Sequence, residues 1–195
     1  MRQFALPLFF LIGLPIFPAS AFLENKTVAI GKPVQEFELA NLEGKPFKSS
    51  DAKGKILMLH FWSATCPFVV RYEERLQALT KDYGTQGVVV IGIASNSTEN
   101  PDQLRKAAME HGVNYPILID PDHKIADRFG AVTTPHVYIL DKNGNLAYEG
   151  SVDDQGWGEA NPINKNYARD ALDALLKDQP VSTPVTKTFG CSIKR

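Results

Sequence analysis

The chain has 195 residues, 21 Lys and Arg against 22 Asp and Glu for a formal net charge of −1, and 44% apolar residues. This balance suits one or at most two compact domains and excludes a disordered or fibrous chain. No basic surplus remains to neutralise a phosphate backbone, so no nucleic-acid partner is expected, and two cysteines are too few for a disulfide-stapled miniprotein or a four-thiolate zinc site.

Residues 1–21 read as a secretory signal peptide. Arg2 supplies a positive start, Phe4 to Phe17 carry no charge, and Ala19-Ser20-Ala21 has the small-x-small form cut by signal peptidase. Pro7, Pro15 and Pro18 interrupt a stretch shorter than the ~20 apolar residues of a spanning helix. Cleavage is expected after Ala21, giving a periplasmic or secreted protein with no stable membrane insertion.

Strand and helix signals then alternate. Val34 to Leu42 with Gly44-Lys45-Pro46 suggests a hairpin-like lead-in, and Ile56 to Trp62 is a nearly continuous apolar run suited to a central strand. Pro67 opens a helix whose apolar stripe is Val69, Tyr72, Leu76, Leu79 and Tyr83, with Gly84 as its expected left-handed end. Val88 to Ala94 predicts a second buried strand, and Asn100-Pro101 starts a helix that stops at Gly112. Tyr115 to Ile119 predicts a third strand and Asp122 to Phe129 a short helix closed by Gly130. His136 to Leu140 and Leu146 to Gly150 flank Asn143-Gly144, the dipeptide of a two-residue hairpin. Tyr167 to Leu176 carries Ala168, Ala171, Leu172 and Leu175 on one helical face. The expectation is a single α/β domain over residues 22–177, a central mixed sheet flanked by helices, its regular part running from about Gly31 to Lys177. Residues 178–195, with Pro180, Pro184 and Gly190, lack periodicity and read as a flexible tail carrying Cys191.

Cys66 lies directly after a buried-type strand and directly before Pro67. Free backbone N–H groups and the helix dipole concentrate partial positive charge there, which favours thiolate, the form that attacks disulfides and peroxides. The alternative is an inert cysteine packed as a small hydrophobe.

The stretch Phe61-Trp62-Ser63-Ala64-Thr65-Cys66-Pro67-Phe68-Val69 resembles the active-site segment of the thioredoxin-like superfamily, particularly its TlpA-like and AhpC/TSA redoxin branches. Gly31-Lys32-Pro33 with Phe37, Thr133-Thr134-Pro135 and Asp141-Lys142-Asn143-Gly144 extend the likeness over residues 31–150. The resemblance implies a thioredoxin-like fold, Cys66 as attacking thiol, Pro135 as a facing cis-proline, and contact of Thr134 and Pro135 with an extended substrate segment. It places His60 where relatives carry a buried acid. That histidine either relays a proton or is a buried ring bonded to backbone. Trp62 reads as packing beneath the site. Partners implied are a protein or small-molecule thiol or disulfide and an external reductant, with no cofactor and no resident metal.

The departures matter as much. Val69 stands where a thioredoxin-type motif has its second cysteine, so Cys191 is the remaining candidate for a resolving thiol, and the ending Phe189-Gly190-Cys191-Ser192-Ile193-Lys194 resembles that of a peroxiredoxin-like subgroup. Peroxide reduction is the nearest rival: Ser63 sits three residues before Cys66 as peroxiredoxins require, but Leu59 replaces their proline and no arginine occurs at Thr133-Thr134-Pro135. Losing that guanidinium removes charge stabilisation from the departing hydroxide, which favours exchange over peroxidase action. Copper delivery is a third reading, but Val69 and Val70 occupy the places of a partner cysteine, and His123 and His136 are separated singletons. Asp153, Asp154 and Trp157 either rim a site or are a solvated loop.

Overall fold

A computed structural model describes residues 28–158 and 162–195; the expected signal segment lies outside the described residues. In chain order the strands are β1 (Glu38–Ala40), β2 (Pro46–Lys48), β3 (Ile56–Trp62), β4 (Val88–Ala94), β5 (Ile117–Ile119), β6 (Thr133–Thr134), β7 (Val137–Leu140), β8 (Leu146–Gly150) and β9 (Cys191–Ser192). The α-helices are α1 (Pro67–Tyr83), α2 (Pro101–Glu110), α3 (Lys124–Phe129) and α4 (Tyr167–Leu176).

Five strands form the central sheet in the order β5-β4-β3-β7-β8. β3 pairs in parallel with β4 and antiparallel with β7, β4 pairs in parallel with β5, and β8 closes the edge antiparallel to β7. Every residue of β3 is buried because both faces of this central strand are covered. Ile56, Met58 and Trp62 join the core made with α1, α2 and α4; Leu57, Leu59 and Phe61 join the opposite core with Phe37, Ile125 and Phe129. Period-two alternation thus feeds two layers from one apolar run.

The stripe expected on α1 is buried throughout, and one polar residue joins it: Glu73 is also buried. Gly84 is right-handed, with φ −57°, because the chain continues through a 3₁₀ turn and reverses at Gly87, whose φ of +88° is the left-handed one. The Asn143-Gly144 turn is longer than a two-residue loop. Asp141 Oδ1 accepts from the N–H groups of Asn143 and Asn145 at 2.8 and 2.9 Å, and the register shifts between Ile139 and Leu140. β1 and β2 form the expected lead-in hairpin, and an Asn41–Leu118 bridge ties it to β5.

The segment expected to be a flexible tail follows a bonded path. Thr186 N–H donates to Glu149 O on β8 at 3.0 Å, and β9 pairs antiparallel with β6, Thr134 opposite Cys191 and Thr133 opposite Ser192. Ile193 is 6% exposed within the core shared with Phe37 and Phe129. Burying that one side chain contributes on the order of 2 kcal/mol. Lys194 N–H donates to Asn96 Oδ1, and Arg195 pairs with Asp127 at 3.0 Å. Composition suggested a mobile arm because a two-residue strand has no periodicity to read; its order comes from distant partners.

Candidate active site

Cys66 occupies the N-cap of α1 in extended conformation, and its carbonyl accepts from the N–H groups of Val69 and Val70 at 3.0 and 3.2 Å. Pro67, with no N–H of its own, fills the first helical position. The strand-to-helix turn therefore holds the thiol at the helix start, with the Val69 and Val70 N–H groups bonded to the Cys66 carbonyl and the Phe68 backbone turned to Cys191. The sulfur donates to Thr134 O at 3.1 Å, and Thr134–Pro135 is the cis peptide bond expected from the resemblance. Opposite Thr134 stands Cys191. Burial first, then the hydrogen bond and charge of Cys66, push the Cys191 thiol up to about 11, while the backbone of Phe68 opposes the rise. Both cysteines are free thiols. Cys66, Thr134, Pro135 and Cys191 thus meet at one end of α1.

The loop before Cys66 is fixed by Glu99, a residue absent from the sequence reading. Its Oε1 accepts from Ser63 Oγ at 2.7 Å, Thr65 N–H at 3.0 Å and Thr65 Oγ1 at 2.7 Å. Ser63 Oγ also accepts from Asn96 Nδ2 at 2.9 Å. A glutamate in a polar connection carries no motif, and only the return of the β4–α2 loop to the Cys66 turn reveals it. The Ser63 hydroxyl, expected to position peroxide if anything did, is engaged in this brace.

Trp62 lies in the core, its Nε1 donating to Glu73 Oε2 at 3.2 Å, and Tyr115 OH donates to the same carboxylate at 2.8 Å to Oε1. These donors explain how Glu73 is tolerated inside. His60 stands edge-on to Tyr115, ring centroids 5.1 Å apart. Burial drives its pKa down to about 3, opposed weakly by the backbone at Phe61, so the imidazole is neutral at physiological pH. Since the unfolded chain binds this proton below about pH 6.5 and the folded one does not until about 3, stability rises with pH across that window. At pH 5 the deficit is about 2 kcal/mol. His60→Leu is expected to remove that part of the acid sensitivity, read from urea midpoints at pH 7.5 and 5; equal losses in variant and wild type would assign the effect elsewhere.

His123 Nδ1 contacts Ser95 O at 2.6 Å and His136 stacks on Tyr138. Among the described residues, no cluster of three or more His, Cys, Asp or Glu is placed to hold a metal ion, and no helix is long and apolar enough to cross a membrane. Asp153, expected as a solvated loop acid, is fully buried. It accepts from Arg75 Nη1 at 2.6 Å, Tyr72 OH at 3.2 Å and Gln155 N–H at 3.0 Å. Trp157 meets Phe68 edge-on, ring centroids 4.8 Å apart, and Phe189 with centroids 6.3 Å apart.

A five-stranded mixed sheet with a cysteine at a helix start facing a cis-proline is the arrangement of a thioredoxin-like redoxin. The chain belongs to the AhpC/TSA family, whose profile matches residues 30–149. It is 30% identical over 128 residues to the thiol-disulfide oxidoreductase ResA of Geobacillus thermodenitrificans, covering 66% of this chain and 72% of that one. An uncharacterized conserved protein of Geobacillus kaustophilus superposes with a TM-score of 0.80 at 32% identity, covering 86% of this chain and 92% of that one. The thioredoxin domain of a thiol-disulfide oxidoreductase of Bacteroides vulgatus gives 0.57 at 19% identity over 63% and 89% of the two chains and shares the fold.

Proposed function

We propose that the protein is an exported thiol–disulfide oxidoreductase in which Cys66 attacks and Cys191 resolves. The observation that carries this reading is the meeting of the two thiols at the start of α1 beside Thr134 and Pro135. Likeness to ResA supports the reaction class, and Arg2, the apolar stretch and Ala19-Ser20-Ala21 support export.

Burial, then the hydrogen bond and charge of Cys66, make Cys191 hold its proton, so Cys66 is the sulfur that attacks first once deprotonated. The Cys66 thiolate attacks one sulfur of a client disulfide, forming a mixed disulfide and releasing the other client sulfur as thiolate. Cys66 then carries no charge, so that part of the upward push on Cys191 vanishes. Cys191, deprotonated, attacks Cys66 Sγ, forms the internal disulfide and releases the second client thiolate. The client gains two electrons and the protein loses them. An external thiol or dithiol reduces the internal disulfide and restores the pair.

The test is intact mass under non-reducing conditions after the reduced protein meets a model protein disulfide. Wild type is expected to lose two hydrogens, Cys191→Ser to accumulate a mixed disulfide, and Cys66→Ser to do neither. A one-oxygen gain at Cys66 on exposure to peroxide, faster than any exchange, would favour the peroxidase reading instead.

A further inference from the structure

Cys66 is 2% exposed. Its sulfur faces Thr134 O and the side chain of Cys191, so the strand lying over it is part of this same chain. That strand is seated by more than its two paired residues. A Cβ on Gly190 would come within 2.1 Å of Thr134 O and 2.7 Å of Thr134 C, both backbone atoms that cannot swing aside. Just before it, the Phe189 ring lies 3.5 Å from where a Cβ on Gly156 would be and stands edge-on to Trp157. Beyond the cysteine, Ile193 N–H donates to Val132 O at 3.0 Å while its side chain enters the core, and Arg195 Nε donates to Asp127 Oδ1 at 3.0 Å. Aromatic, glycine, cysteine, aliphatic and base each have a fitted place.

We propose that residues 187–195 are an internal ligand of the strand site beside Thr134 and Pro135, held in the register of a client with Cys191 at the reacting position. The clients this site selects are extended segments of the same chemistry: an aromatic side chain two residues before the reactive cysteine, glycine immediately before it, a branched aliphatic two after and a base four after. This rests on the exchange reading above. Covering and selecting are then one property. A client must displace the segment to reach Cys66, and the segment returns to bring Cys191 to the mixed disulfide. Side chains larger than glycine before the cysteine meet the same carbonyl that excludes a Cβ at Gly190.

The test uses the full chain with Cys191→Ser in every arm, so that iodoacetamide reports Cys66 alone. Alkylation through a locally opened state scales with how often the covering segment is away. Gly190→Ala, which forces the segment off the Thr134 carbonyl, and Ile193→Ala, which weakens its far anchor, are each expected to speed alkylation by at least about tenfold. A synthetic nonapeptide of the 187–195 sequence, with serine in the place of the cysteine, is expected to slow the Gly190→Ala protein back toward the parent rate. The same peptide with alanine for its glycine is not. Protection by the peptide also requires a folded site, so an unfolded variant cannot mimic the result. Unchanged rates in both variants, or equal protection by both peptides, would overturn the proposal. Failure of the exchange reading shows elsewhere, as no mixed disulfide in the trapping experiment while alkylation still responds to Gly190→Ala.

Discussion

Replacing Cys66 with serine is expected to lower the turnover of a model protein disulfide by at least about 10³-fold, because a hydroxyl at the same place is neither ionised at neutral pH nor able to form the mixed disulfide. Cys191→Ser acts on a different step. Its first attack on the client is expected to proceed, followed by a stall, so a burst of one client thiol per protein replaces steady turnover. The two variants also separate by pH. Burial, the largest cause of the rise at Cys191, persists when Cys66 is in the mixed disulfide, so resolution in wild type should accelerate with alkalinity. Stopped-flow release of client thiol with a chromogenic trap resolves both phases. Comparable steady turnover in Cys66→Ser would remove this sulfur from the chemistry.

The second large effect concerns stability. Asp153 is fully buried, and Arg75, 27% exposed at its side chain, reaches it at 2.6 Å while also bonding Gln155 Oε1 at 2.6 Å and lying over the Tyr72 ring at 4.7 Å. The pair fastens the middle of α1 to the connection after β8 that carries Trp157. Removing one partner of a buried pair leaves the other charge without compensation, typically 3–5 kcal/mol, and the partial exposure of Arg75 reduces this to about 2–4 kcal/mol. Arg75→Met is therefore expected to lower the melting temperature by roughly 5–12 °C. The Lys106–Glu110 pair, 3.8 Å apart with both side chains mostly exposed, is the control: Glu110→Gln should change stability by less than about 0.5 kcal/mol. Equal effects from the two substitutions, measured by calorimetry, would show that burial of Asp153 is not what sets the cost.

Much of the fold was legible because its main elements announce themselves locally. β3 and β4 are apolar runs, α1 has a stripe at spacings of three and four, and α2 starts at Asn100, whose side chain caps two backbone N–H groups. The reverse holds where partners are remote. β9 is two residues long, and nothing near Cys191 shows that Thr134 pairs with it. Asp153 looks like any acid in a polar loop until Arg75 and Tyr72 arrive from α1. In the site, Cys66 was legible from its place between a buried strand and a helix start, and Thr134 and Pro135 only through the family resemblance. Glu99 was not, since its role consists of hydrogen bonds to Ser63 and Thr65 across more than thirty positions. Gly190 read as a mark of a flexible tail, and its close approach to the Thr134 carbonyl, where only glycine fits, comes from the fold.

Asn96 has both ends of its carboxamide committed, the nitrogen to Ser63 Oγ and the oxygen to Lys194 N–H, each at 2.9 Å. One rigid planar group therefore spans the turn that presents Cys66 and the strand that overlies it. When the overlying strand departs, the amide oxygen passes to solvent and the plane is free to rotate, so the serine loses a fixed donor at that same moment. Shielding and bracing of the thiol are geared together through three atoms of a single side chain.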